Sequence, residues 1–78
     1  MAKVHFFAAA RAAVGADVLD VSATSVAEVI DFCSLINPQM SRLMPTCGIL
    51  VDSVACHDFS AAIDADTRID VLPKFAGG

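Results

Sequence analysis

The chain reads as an α+β domain in which one main helix lies across one face of a mixed β-sheet. Three observations lead there. A single strongly marked helix, opened by Ser25-Val26-Ala27-Glu28, sits between runs that alternate apolar and polar residues with the period of a strand. On its C-terminal side, two extended runs are joined by Asp52-Ser53, a polar pair suited to a tight hairpin. The last run, Ile69-Asp70-Val71-Leu72, is stopped by Pro73 and leads into a short tail ending in Gly77-Gly78.

Taken in order, Lys3 to Ala8 alternates as a first strand, with Val4, Phe6 and Ala8 on one face and Lys3, His5 and Phe7 on the other. The large apolar Phe7 therefore falls on the more polar face. Ala9 to Val14 is rich in the best helix former, and Gly15 closes it, so one or two helical turns are expected. Asp17 to Val21 gives a second strand, with Val18 and Asp20 opposite Leu19 and Val21. In the main helix Ser25 and Glu28 match a capping box, each side chain accepting from the other residue's backbone N–H. Val26, Val29, Ile30, Cys33 and Ile36 then recur at helical spacing, leaving Glu28, Asp31 and Ser34 outward. Pro38 pushes Asn37 out of the α region and ends this helix, and Gln39 to Leu43 adds a short second helical piece. Gly48 opens Ile49-Leu50-Val51, which Asp52-Ser53 turns back into Val54-Ala55-Cys56-His57. Asp64-Ala65-Asp66-Thr67 is a polar turn before the final strand.

At 78 residues the chain is one domain, 1–78, with 72–78 as its extended tail. A chain of this size buries only about 60% of its extended surface, leaving no room for a cleft between lobes. Five Phe, without Trp or Tyr, supply the bulky packing. A formal charge of −4 excludes nucleic acid and anionic membrane surfaces as partners and points to a partner with a basic face. The opening residues are too polar for a signal peptide and no run is long enough to span a bilayer, so a cytoplasmic location is expected. Cys33, Cys47 and Cys56 contain no CxxC and no iron–sulfur spacing, and are expected as reduced thiols. His5, Cys56, His57 and Asp58 are not expected to hold a metal, since adjacent strand residues point to opposite faces.

The tail carries the functional signal. Two residues without a Cβ can lie flat in a channel that any other side chain would block, presenting a bare carboxylate to another protein's active site. The order strand, strand, helix, strand, strand, strand brings the last strand beside the first if two hairpins flank a parallel central pair. That is the β-grasp arrangement of ubiquitin-like proteins.

Lys3-Val4-His5-Phe6-Phe7-Ala8 with Arg11 and Gly15, the Val51-Asp52-Ser53 hairpin and the closing Pro73…Gly77-Gly78 together resemble the MoaD/ThiS family of sulfur carriers, on the side of the small subunit of molybdopterin synthase. Two positions depart from that pattern: Asp52 stands where the family often has Asn, and Lys74-Phe75 replaces a small or apolar pair. The resemblance implies that an ATP-using, MoeB-like activating enzyme adenylates Gly78 and that sulfur then replaces AMP to give a thiocarboxylate. Phe75, Ala76 and Gly77 would thread into a MoaE-like large subunit, and the sulfur would pass to a pterin precursor. No cofactor is then bound by the carrier itself, and catalytic residues are expected on the partner. Alternation places Phe7 and Leu72 on corresponding faces of neighbouring strands, so with Cys56 they are expected to form the partner patch, with Arg11 bracing that region. Asp64 and Asp66 are turn formers that a basic activating enzyme could also meet. Thiazole, cysteine or tRNA thiolation, and conjugation to lysines as a ubiquitin-like modifier, remain open beside the pterin route.

Overall fold

The computed structural model describes residues 1–74. Five strands form one mixed sheet: β1 (Ala2–Phe6), β2 (Val18–Val21), β3 (Cys47–Val51), β4 (Val54–Ala55) and β5 (Arg68–Pro73), in the order β2-β1-β5-β3-β4. β1 and β5 run parallel at the centre, with Phe6 beside Val71, and an antiparallel partner flanks each of them. The expected arrangement is the observed one.

The helical layer is fuller than one helix. Three helices, α1 (Ala8–Val14), α2 (Val26–Ser34) and α3 (Pro38–Leu43), and a 3-10 turn at Met44–Thr46 cover the same face of the sheet. They enclose one core in which Val4, Phe6, Ile69 and Val71 of the central strands meet Ala10, Val26, Val29, Cys33, Met40 and Met44.

The first strand ends sooner than alternation indicates. Ala8 opens α1 instead of extending β1, and the change of direction is absorbed at Ala8 itself, whose φ of 49° lies in the left-handed region. That conformation costs a residue with a Cβ about 1–2 kcal/mol. Gly15, at φ 82°, closes the helix with its N–H on the Arg11 carbonyl, where the absent Cβ makes the left-handed turn cheap.

α2 starts as the sequence indicates, with one change. The Ser25 hydroxyl accepts from the Glu28 N–H at 3.2 Å, but the Glu28 carboxylate reaches past Ser25 to the Thr24 N–H at 2.6 Å and the Thr24 hydroxyl at 2.7 Å. These bonds hold the Glu28 carboxyl below its usual range. The remaining free donors of the first turn go to the long 56–67 loop: Val26 N–H to the Ala61 carbonyl and Ala27 N–H to the Phe59 carbonyl. α2 ends at Ser34, before the expected stop at Asn37-Pro38, which instead starts the next helix: Asn37 caps α3 by accepting from the Met40 N–H at 2.8 Å while Pro38 takes the first helical position.

The β3–β4 hairpin closes through Asp52 (φ 48°) and Ser53 (φ 71°), two successive left-handed residues as a two-residue turn requires. Asp52 also ties the turn to β5, accepting from the Arg68 N–H at 2.9 Å and donating its own N–H to the Arg68 carbonyl at 2.8 Å. Among the described residues no helix is long and apolar enough to cross a membrane.

Candidate functional site at the end of the central strands

Because Val4, Phe6, Ile69 and Val71 face the helices, the residues between and after them face away. One row across this outer face runs Leu50, Asp70, His5, Val18. The next row toward the C-terminus begins with Gly48 and Leu72. Phe7 continues it: the Phe7 N–H donates to the Val71 carbonyl at 3.2 Å, extending the parallel register by one step and bringing Phe7 beside Leu72.

Phe7 and Leu72 are thus brought together as expected, but both are half-buried rather than fully exposed, and Phe7 is the residue preceding α1 rather than part of β1. Its carbonyl accepts from the Ala10 and Arg11 N–H groups, so one backbone unit joins the central strand to the helix that follows. Arg11 stands exposed in that helix with its Nε 3.6 Å from Asp17. This exposed ion pair lies over the loop into β2.

Cys56 does not join this pair. β4 stops at Ala55, opposite Leu50 on the outer face, and the Cys56 N–H then donates to the Ile49 carbonyl at 2.9 Å. Its side chain packs against the helix-side core, so the expected Phe7–Leu72–Cys56 patch lacks its third member. Beyond the end of β4, His57 is not held to the opposite face, and Cys56 and His57 line one groove of about 130 Å³ with Gly48, Phe59 and Lys74. Among the described residues no group of three or more His, Cys, Asp or Glu side chains is placed to hold a metal ion.

The outer face holds one feature that sequence reasoning missed. Asp70 is only 6% exposed and its carboxylate accepts from Arg68 Nε at 2.8 Å. The signal for it was the i, i+2 spacing of Arg68 and Asp70 on one face of a strand. The pair braces the sheet between His5 and Leu50.

The other cysteines are structural. Burial pushes the Cys33 thiol up to about 12, with the neighbouring Cys47 adding to the effect, and burial raises Cys47 as well. Both thiols stay protonated and unreactive at neutral pH.

Leu72 is followed by Pro73, which pairs with Cys47, and by exposed Lys74. The expected threading residues Phe75, Ala76 and Gly77 and the expected reactive Gly78 lie outside the described residues.

No protein-family model matches the chain, and no curated protein does. Solved structures do match. The crystal structure of SAMP1 from Haloferax volcanii is similar at a TM-score of 0.82 with 18% identity, over 99% of this chain and 98% of that one. A chain in the protein–protein complex of subunits 1 and 2 of molybdopterin-converting factor from Helicobacter pylori 26695 is similar at a TM-score of 0.76 with 16% identity, over 99% and 97% of the two chains. Similarity of shape over nearly the full length, with the parallel β1–β5 pair at the centre, gives this chain the ubiquitin-like β-grasp fold.

Proposed function

We propose that the protein is a sulfur carrier whose C-terminal Gly78 is activated as an acyl adenylate and converted to a thiocarboxylate. The observation that carries this reading is the course of β5. The central strand of a β-grasp sheet runs out at Pro73-Lys74, past the Phe7–Leu72 pair, and the sequence that follows ends in two glycines. The chemistry needs little from the chain itself. Its carboxylate attacks the α-phosphorus of ATP on the activating enzyme and releases pyrophosphate. A persulfide sulfur then displaces AMP, and a thiol cleaves the resulting acyl disulfide, leaving the thiocarboxylate. A thioacid is ionised at neutral pH and nucleophilic, by the logic that makes thiolate the reactive form of cysteine. The carrier contributes reach and a reactive atom, and the partner contributes catalysis.

The pterin precursor of molybdopterin is the acceptor this reading favours. The support is the sequence resemblance at Phe7, Arg11 and Gly15 together with the shape shared with a subunit of molybdopterin-converting factor. Phe7 and Leu72 then meet the large synthase subunit while the tail enters it, and apolar contact there offsets the roughly 1–2 kcal/mol per residue that ordering a tail costs.

The test is the intact mass of the protein co-expressed with its activating enzyme and a sulfur source, with fragmentation to locate the change. Replacement of one oxygen by sulfur at Gly78 supports the carrier reading. A ladder of isopeptide conjugates in cell extracts, with no thiocarboxylate, favours the modifier reading instead.

A further inference from the structure

The end of the sheet from which Lys74 emerges is positively charged, although the whole chain carries −4. That end is assembled from the last residues of β1 and β5, from α1 and the loop after it, and from α3 with the Met44–Thr46 turn that feeds Cys47 into its pairing with Pro73. Asp58 belongs to this end too, because its neighbours His57 and Phe59 share a groove with Lys74. Arg11, Arg42 and Lys74 against Asp17 and Asp58 then give it +1, and the seven other carboxylates against Lys3 and Arg68 give the remainder −5. Arg11 is offset by Asp17. Among the described residues no ion pair engages Arg42 or Lys74, and both are exposed. The segment carrying Arg42 is tied to the base of the tail, since the Leu43 carbonyl accepts from Thr46 Oγ1 at 2.7 Å and from Cys47 Sγ at 3.4 Å, and Cys47 lies across from Pro73.

We propose that this cationic end, through Arg42 and Lys74, docks on a carboxylate-bearing rim around the opening by which the activating enzyme admits the tail. The proposal rests on the carrier reading above. A protein rim fits better than the nucleotide phosphates because of reach. Gly78 is four residues beyond Lys74, and four residues span at most about 14 Å. When the Gly78 carboxylate meets ATP in the depth of a channel, Lys74 and Arg42 stay at its mouth. Charges there act mainly on encounter, over a Debye length of about 8–10 Å at moderate salt. The inference reverses what net charge implies: a total of −4 points to a basic partner, but an encounter senses the nearer end of a molecule whose two ends differ in sign.

The test is the association rate of the full chain with the ATP-dependent activating enzyme of its own organism, measured at about 20 mM and about 500 mM salt. Arg42→Glu is expected to slow association about 3–10-fold at low salt, Arg42→Gln by a smaller factor, and both differences are expected to vanish at high salt. Thermal unfolding of each variant, matching the unsubstituted protein, confirms that the fold is kept. Asp20→Asn, at the opposite end of the sheet beside Lys3, is expected to leave the rate nearly unchanged. An Arg42→Glu rate that is unchanged or faster at low salt overturns the proposal, as does a set of rates that follows net charge alone. Pyrophosphate release with the unsubstituted chain tests the carrier reading separately. No release removes that reading and this inference together, whereas release with an indifferent Arg42→Glu removes only this inference.

Discussion

The two faces of the central strand pair are built from the same eleven residues, five in β1 and six in β5, and differ in almost every physical respect. Toward the helices, Val4, Phe6, Ile69 and Val71 are at most 2% exposed and share one buried core with residues of every helix. Away from them lie Lys3, His5, Arg68, Asp70 and Leu72, where polar and half-buried apolar side chains are mixed. The period of two along a strand lets one stretch of chain hold the fold on one side and remain available to a partner on the other. Substitutions on the inner face are therefore read as stability, and those on the outer face near the tail test the proposed docking.

The largest expected effect comes from the inner face. Phe6→Ala removes the largest fully buried side chain and is expected to cost about 3–5 kcal/mol, measured by denaturant unfolding. For a domain this small that is a large part of its total stability. A loss below about 1 kcal/mol would mean that the helical layer does not rely on the β1–β5 pair.

On the outer face, Arg68→Ala is the intermediate case. It leaves the Asp70 carboxylate buried without its 2.8 Å partner, at an expected cost of about 1–2 kcal/mol, toward the low end because Arg68 is itself about half exposed. Asp70→Asn paired with Arg68→Ala should recover part of that loss, since no charge is then stranded. A double variant no more stable than the single one would show that the ion pair is incidental to the brace.

Leu72→Ala and Phe7→Ala sharpen the comparison from the other side. Both residues are half-buried outside the core, so each is expected to change stability by about 1 kcal/mol or less. Under the proposed function, affinity for a large synthase subunit, measured by calorimetry, is expected to fall about tenfold or more for each. Unchanged affinity in both would separate the Phe7–Leu72 pair from docking and leave the tail as the sole contact.

How far the sequence was legible follows from where local rules hold. Ser25 and Glu28 and Asp52-Ser53 each announce a backbone event that occurs where expected, while Asn37-Pro38 marks the start of α3 and not the end of α2, which stops at Ser34. The parallel pairing of β1 with β5 followed from strand order and the need to cover one apolar face. Alternation misled where a strand ended early or where the pairing register was not visible. Ala8 turns into α1 at positive φ because the chain must bend there with no linker, and nothing in an Ala-rich run marks which Ala bends. Cys56 falls on the face opposite to the one expected: Ala55 pairs with outward Leu50, so Cys56, beside the core residue Ile49, faces the helices and leaves the expected patch. The burial of Asp70 depends on Arg68, His5 and Leu50 converging from three strands, a fact of register that no local pattern encodes. Charge was legible as a total but not as a distribution, and the fold separates it into a cationic end at the tail and an acidic remainder.

The central claim concerns one atom at the end of the chain. Intact-mass measurement with fragmentation, on protein co-expressed with its activating enzyme and sulfur source, reads that atom directly. The account predicts a mass gain equal to one oxygen replaced by sulfur, localised to Gly78 and abolished by deletion of Gly77 and Gly78. An unmodified carboxylate at Gly78, alongside an activating enzyme shown to be active, would contradict it.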